Sequence, residues 1–326
     1  MLWNYDPSQD DEIYEAYKAV RLAGVSIFDT ADSYGTLDLN GRAEILLGQF
    51  ERRLTAELSH ETSPSNPIED VFSFWKKNPP PPPQQVATKF APYPWRITRG
   101  AMTSAAEASL TRLEQSKLTL AQLHWSTANY QPFQERALWE GIADVYDKGL
   151  CEAVGVSNYG PKQLVKFSER MMERDVPLAT AQVQYSLMTA QASQDMKDVC
   201  DDVDCTLISY SPLCLGLLTC KYDLDNLPPP GNPRRQLFRE LLPGAQPLLQ
   251  TLTAVAEEYG KSPSQVAINW TICKGGVPIP GARNLQQANE NLGSIGWKLR
   301  KDALEELDKV ALEVKKPMIQ NIFQTK

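Results

Sequence analysis

Apolar positions near the start of the chain recur at helical spacing. Ile13, Ala16, Tyr17, Val20 and Ala23 line one face of a predicted helix that Gly24 ends, and Ser8 followed by Asp11 makes a capping-box pattern at its start. The period then changes. "VSIFDTA" (25–31) is a short, nearly continuous apolar run. Runs of the same kind follow at "QVATKF" (85–90), "LAQLHWS" (120–126), "AVGVSN" (153–158), "TAQVQYS" (180–186), "TLISYSP" (206–212) and "GVPIPGA" (276–282). Such runs read as strands of a parallel sheet covered on both faces. Helical patterns such as "ITRGAMTSAAEASLTRLEQ" and "PKQLVKFSERMMERD" separate them.

Strands alternating with helices at the interval of a βα unit leave two architectures, a doubly wound sheet or a (β/α)₈ barrel. The dinucleotide fingerprint GxGxxG is absent, which weighs against the first. Asp29, Lys89, His124, Ser157, Asn158 and Tyr210 stand at the C-terminal ends of the predicted strands, where a barrel carries its active site. The expected fold is therefore α/β, a (β/α)₈ TIM barrel in one domain over 1–326. Seven strand segments are visible where a barrel needs eight. A helix opens the chain and residues 1–7 offer no strand, so the expectation is a sequence lacking its first strand.

Two segments interrupt the rhythm. Residues 59–84, "SHETSPSNPIEDVFSFWKKNPPPPPQ", are far longer than an ordinary helix-to-strand connection, and Pro79 to Pro83 favour a stiff polyproline II stretch. This Pro-rich insertion reads as a surface element, with docking to a proline-reading protein partner as the other reading. "TCKYDLDNLPPPGNPRRQ" (219–236) is a long loop at a strand's C-terminal end, placed to fold over a ligand.

Composition narrows the function classes. A net charge of −7 supplies no phosphate-neutralising surface, so nucleic acid is excluded as a general partner. Six cysteines without a CxxC fit reduced thiols better than disulfides or zinc. Two histidines, His60 and His124, leave no His-rich metal site. No apolar run approaches membrane-spanning length, and no secretory segment precedes the first helix. The expected compartment is the cytoplasm, or the plastid stroma if an N-terminal transit segment is missing.

The strand that ends in Asp29 raises a chemical question, because a buried carboxylate needs a partner. Lys89, at the end of a neighbouring predicted strand, is a counter-ion for Asp29, and its charge also favours the phenolate of Tyr34. A phenol so tuned acts as a general acid, and His124 beside it orients a carbonyl oxygen. Such a site protonates a carbonyl that is receiving a hydride.

"FDTADSYG", "ATKF", "QLHW", "GVSN" and "YSPL", in this order, resemble the aldo-keto reductases, and "PSQVAINWTICKGGVPIPGARNLQQANENL" is similar to their C-terminal cofactor segment. The opening and "PIPGARN" point to the plant and algal branch. The resemblance implies an NADP-dependent barrel with a catalytic tetrad of Asp29, Tyr34, Lys89 and His124. It places Ser157, Asn158 and Gln182 on the nicotinamide carboxamide, Tyr210 on the nicotinamide ring, and Ser211, Leu213 and Gly216 beneath the pyrophosphate. Gly281, Arg283, Gln287 and Asn291 match positions that bind the adenosine 2′-phosphate and adenine. An arginine suits a phosphate, and the helix start after Gly281 suits an anion. Trp95 of "APYPWRIT" (91–98) and Trp125 are candidate walls of a substrate pocket.

The expected function is NADPH-dependent reduction of an aldehyde or ketone, with Tyr34 as general acid, no metal and a small-molecule carbonyl substrate. Another reading is an NADP-binding regulatory or adaptor subunit, or an inactive truncated form of the same fold. A hydrolase using Ser157 and His124 fails because "GVSNYG" has one residue too many for GxSxG.

Overall fold

Helices and strands alternate along a computed structural model of the chain, which describes residues 6–35, 41–61, 80–191, 193–316, 318 and 325. In chain order these are α1 (Asp10–Leu22), β1 (Ile27–Asp29), α2 (Arg42–Glu61), β2 (Gln85–Phe90), α3 (Gly100–Leu113), β3 (Leu118–Leu123), α4 (Pro132–Asp147) and β4 (Cys151–Ser157). There follow α5 (Pro161–Met172), β5 (Leu178–Gln184), α6 (Gln194–Asp202), β6 (Thr206–Tyr210), α7 (Arg234–Tyr259), α8 (Pro263–Cys273), β7 (Val277–Ile279), α9 (Leu285–Leu292) and α10 (Lys301–Leu312). Sheet order follows chain order from β1 to β7.

All seven apolar runs form strands, and β2 has the bounds its sequence suggests. β3, β4 and β5 begin earlier, at Leu118, Cys151 and Leu178, because ladder pairing is a backbone property that does not stop at a polar side chain. The start of α1 differs from the capping-box reading. Asp6 accepts the Ser8 N–H at 3.0 Å and caps a 3-10 turn, Pro7–Gln9, and α1 begins only at Asp10. Gly24 does end α1, at φ +90°, where its N–H reaches Arg21 O and Val25 N–H reaches Val20 O, both at 3.0 Å.

The expected first-strand gap falls largely on residues 1–5, outside the described residues. Most of the 59–84 insertion does too; α2 runs on to Glu61, residues 62–79 are not described, and 80–84 lead without regular structure into β2. The 219–236 loop is shorter than it reads, since a 3-10 segment ends at Thr219 and α7 begins at Arg234. No helix among the described residues is long and apolar enough to cross a membrane.

By internal contact the chain divides into two compact units, Met1–Val154 with Ala282–Asn289, and Gly155–Gly281 with Glu290–Lys326. In the first, β1 runs parallel to β2, with Asp29 opposite Ala87, and β2 runs parallel to β3, with Lys89 opposite Gln122. Tyr14, Tyr17, Leu46, Phe50 and Leu54 form an apolar cluster under β1, with Ile13, Phe28, Leu47 and Leu58 packed against it. Each such side chain contributes about 1.5–3 kcal/mol when fully buried. Buried charges tie helices to strands. Glu44 of α2 accepts from Thr88 of β2 at 2.5 Å and from Arg112 of α3 at 2.6 Å. A Cβ on Gly48 would lie 2.8 Å from Leu113 O, so α2 approaches the end of α3 at backbone contact and only glycine fits there.

In the second unit β5 pairs with β6 and β6 with β7, all parallel, with Gln182 opposite Ile208 and Tyr210 opposite Ile279. Trp270 of α8 stacks on Tyr185 with centroids 5.3 Å apart, and its indole N–H donates to Asp308 at 2.8 Å. Ser262 and Gln265 form a capping box at the start of α8.

Candidate active site

Parallel pairing of β1 with β2 brings two strand ends together. Lys89 Nζ donates to Asp29 Oδ2 at 2.5 Å and to the Thr30 carbonyl at 2.7 Å. The partner that Asp29 requires is thus Lys89, which is itself buried. The ammonium lies 4.9 Å from the Tyr34 ring centroid. His124, just past β3, sets its ring edge-on to Tyr34 at 5.7 Å, and Ser33 Oγ lies 3.3 Å from His124 Nδ1. The four expected tetrad residues therefore meet at the C-terminal ends of β1, β2 and β3. Gln122 of β3, which the sequence did not single out, adds an amide at 3.4 Å from Asp29 Oδ1.

The electrostatics differ from the sequence-based expectation at one point. Burial pushes the Tyr34 phenol above its ordinary value; Lys89 pulls it back, and the Asp29 carboxylate adds to the push. The net direction is upward. Lys89 does not leave the phenol lowered, because its charge is already shared with Asp29 and Thr30 while desolvation of a phenolate acts in full. Burial also opposes the charge on Lys89, but Asp29 and Tyr34 outweigh it and hold the ammonium above its usual range. Burial, with Lys89 nearby, holds His124 well below the usual imidazole value, so its ring is neutral at physiological pH. The set at neutral pH is a protonated phenol, an ammonium paired with Asp29, and a neutral imidazole.

Around these groups the strand-end loops are stitched to one another. Asp32, two residues before Tyr34, accepts from the Ala91 N–H at 3.1 Å and from Arg96 Nη1 at 2.6 Å. Gln134 Nε2 donates to the carbonyls of Tyr93 and Arg96, at 2.7 and 3.2 Å. The next residue, Glu135, is buried and accepts from Ser126 Oγ, Thr127 N, Thr127 Oγ1 and Trp139 Nε1 within 3.0 Å. It therefore fixes the segment that follows His124. Sequence reading missed Glu135 and Arg96, since a charge four residues into a helix or in a loop looks solvated. Trp95 is 72% exposed and stacks on Tyr93 at 4.7 Å, whereas Trp125 packs on the His124 ring at 4.9 Å and donates to Tyr130 OH at 2.8 Å.

In the second unit the expected cofactor residues form a network of their own. Asn158 stands at φ +60° just past β4, and its N–H donates to Gln182 O at 2.8 Å. Its side-chain amide donates to Ser157 Oγ at 3.0 Å and accepts from Tyr210 OH at 2.8 Å. Ser157, Asn158 and Gln182 are all buried. Ser211 (φ +51°) follows β6, Leu213 precedes the 3-10 segment, and Gly216 lies at φ +95°, where Arg234 donates to the neighbouring Leu215 carbonyl at 2.9 Å. Asn291 donates to Gly281 O at 3.3 Å. Arg283 and Gln287 belong to the first unit, where the Arg283 N–H donates to Gln287 Oε1 at 2.9 Å and Asn284 caps α9 by accepting the Gln287 N–H at 2.9 Å. The Arg283 side chain is exposed and has no ion-pair partner among the described residues. Two cavities of about 370 and 260 Å³ lie in the second unit, and none of these residues lines them.

The chain resembles known proteins along its whole length. It is 48% identical over 327 residues to the chloroplastic pyridoxal reductase of Arabidopsis thaliana, covering 100% of this chain and 84% of that protein. Among solved structures, the glycerol dehydrogenase of Gluconobacter oxydans superposes with a TM-score of 0.74 at 22% identity, covering 99% of this chain and 92% of that one. An aldo/keto reductase from Klebsiella pneumoniae, solved with NADP and acetate, gives a TM-score of 0.67 at 21% identity, covering 97% and 90%. Both support the (β/α)₈ fold class. A sequence profile of the Aldo/keto reductase family matches residues 1–312, and the chain belongs to this family of oxidoreductases.

Proposed function

We propose that this protein is an NADPH-dependent carbonyl reductase in which Tyr34 is the general acid. The observation that carries the reading is the meeting of Asp29, Lys89, Tyr34 and His124 at three adjacent strand ends. Residues 1–326 work as one barrel domain on a small-molecule aldehyde or ketone. The name of the Arabidopsis relative makes pyridoxal the first substrate to try and supports a plastid compartment, which imaging of a fluorescent fusion checks.

The donor set suits a nicotinamide dinucleotide. Buried Ser157, Asn158 and Gln182 offer amide and hydroxyl groups, Tyr210 offers a ring face, and exposed Arg283 is a cation with no ion-pair partner among the described residues, suited to a 2′-phosphate. Bound NADPH supplies the hydride. The chain's own residues do the rest. Neutral His124 donates a hydrogen bond that orients the substrate carbonyl. Tyr34, held protonated by burial, gives its proton to the oxygen as negative charge develops there. Lys89 stabilises the phenolate that remains, and Asp29 keeps Lys89 charged and aimed.

The test is loss of NADPH absorbance with pyridoxal and a panel of aldehydes, using the whole chain and its Tyr34→Phe variant. Turnover that Tyr34→Phe abolishes, with NADPH affinity kept, supports the reading. Tight NADPH binding with no turnover on any carbonyl would replace it with the adaptor reading.

A further inference from the structure

The end of α6 brings two cysteines together. Asp204 stands at φ +53°; its N–H donates to Asp201 O at 3.3 Å, and the Cys205 N–H donates back to Cys200 O at 2.8 Å. This pair of bonds defines a Schellman helix end. In that motif the residue just past the left-handed position packs its side chain on the last helical turn, a contact apolar residues usually make. Here the two positions are Cys205 and Cys200, so the motif sets one cysteine side chain beside the other. Both are free cysteines, and both line the 260 Å³ cavity together with Lys197, Asp201 and Asp204. Neither belongs to the expected catalytic or cofactor-binding set.

We propose that Cys200 and Cys205 are an oxidisable dithiol, a modification site at which hydrogen peroxide converts two thiols into one intramolecular disulfide. The Cys205 N–H to Cys200 O bond holds the two residues together at the helix end, which keeps their side chains neighbours. Cys205 is the more exposed of the two, at 8% against 0%, and faces the cavity as the nucleophile. Its sulfur attacks the peroxide O–O bond, forming a sulfenic acid and releasing hydroxide, which takes up the thiol proton as water. The Cys200 sulfur then attacks the sulfenic sulfur. The S–S bond forms, the S–O bond breaks, and hydroxide leaves with the Cys200 proton as a second water. Two thiols have lost two electrons, and one molecule of hydrogen peroxide has been reduced.

The neighbouring groups agree with this order. The Cys200 side chain beside it holds the Cys205 thiol below its ordinary value, against burial and the carboxylates of Asp201 and Asp204. Cys205, with burial, pushes Cys200 up, as suits the resolving thiol. Cys151 and Cys214, buried without a second cysteine, are pushed up to about 12 by burial and remain thiols. The bridge staples the end of α6 to the residue before β6.

Titration of the whole chain with hydrogen peroxide, followed by alkylation and peptide mapping, tests the proposal. The expected product is one peptide with a Cys200–Cys205 bridge, lighter by two hydrogens and restored by dithiothreitol, while Cys151 and Cys214 react at least about tenfold more slowly. Sulfinic acid at Cys205, or both residues still alkylated after any other cysteine is oxidised, would overturn it. In Cys200→Ser, Cys205 should stop at a sulfenic acid that dimedone traps. A Cys205 inert there would remove its role as nucleophile, and if that variant does not fold the mapping of the natural chain decides alone.

Discussion

Asp32 and Arg96 meet at 2.6 Å beside the site, and the same carboxylate takes the Ala91 N–H. Asp32 lies between Asp29 and Tyr34 in the chain, and its own N–H donates to Lys89 O at 2.9 Å. One ion pair therefore locks the turn that bears Tyr34 to the strand end that bears Lys89.

Removing one partner of this buried pair should be costly. Arg96→Gln is expected to lose about 3 kcal/mol of stability at neutral pH, because an uncompensated carboxylate remains. Burial already pushes Asp32 above its ordinary value, even against Arg96. For a carboxyl with a raised folded-state value, stability is greatest below the unfolded value and falls as pH rises through the folded one. The penalty should thus shrink toward acid, and urea melts of both proteins at pH 4 and pH 7 would check this (~4 being the ordinary Asp value).

Tyr34→Phe should lower turnover by about 10³-fold or more while NADPH affinity stays within about twofold. Stopped-flow reduction and fluorescence titration separate the two. An equal loss of both would assign Tyr34 to binding instead.

Reduction should be insensitive to pH through the neutral range. Tyr34 is raised and must be protonated to act, so the rate falls only on the alkaline side, above about pH 10. His124 is lowered, so no inflection is expected near the ordinary imidazole value of about 6.5. Lys89 is raised as well, and both groups contribute stability that is full below their unfolded values and lost as pH rises through the folded ones. A pH–rate profile with an acidic limb near 6.5 would count against a neutral His124.

Arg283→Gln should weaken NADPH binding by roughly 30-fold, about 2 kcal/mol, and leave NADH binding unchanged. Parallel titrations with the two nucleotides decide it; equal weakening would mean that Arg283 does not read the 2′-phosphate.

Glu135→Gln should destabilise the protein by about 2 kcal/mol, since an amide cannot accept from every donor now facing the carboxylate. Because Glu135 holds the segment after His124, kcat should fall more than KM rises. A loss of stability with unchanged kinetics would confine Glu135 to the scaffold.

The apolar runs and helical periods of the chain were enough to place every strand among the described residues, because both patterns are local and repeat at the spacing of the backbone. Residue types at the strand ends, with the family motifs around them, were enough to name Asp29, Tyr34, Lys89 and His124 as candidates, and the fold brings these four together. The rest depended on neighbours distant in sequence. Whether Lys89 or desolvation governs the Tyr34 proton is a balance of burial against charge, and burial has no signature in a single residue. Arg96, Glu135 and Gln122 resemble ordinary polar positions until the fold closes over them. Cys200 and Cys205 look like two ordinary thiols five positions apart until a left-handed turn at Asp204 bonds the Cys205 N–H back to Cys200 O. Local pattern chose the elements; desolvation and contact between remote segments, which exist only in the folded chain, decided what the side chains can do.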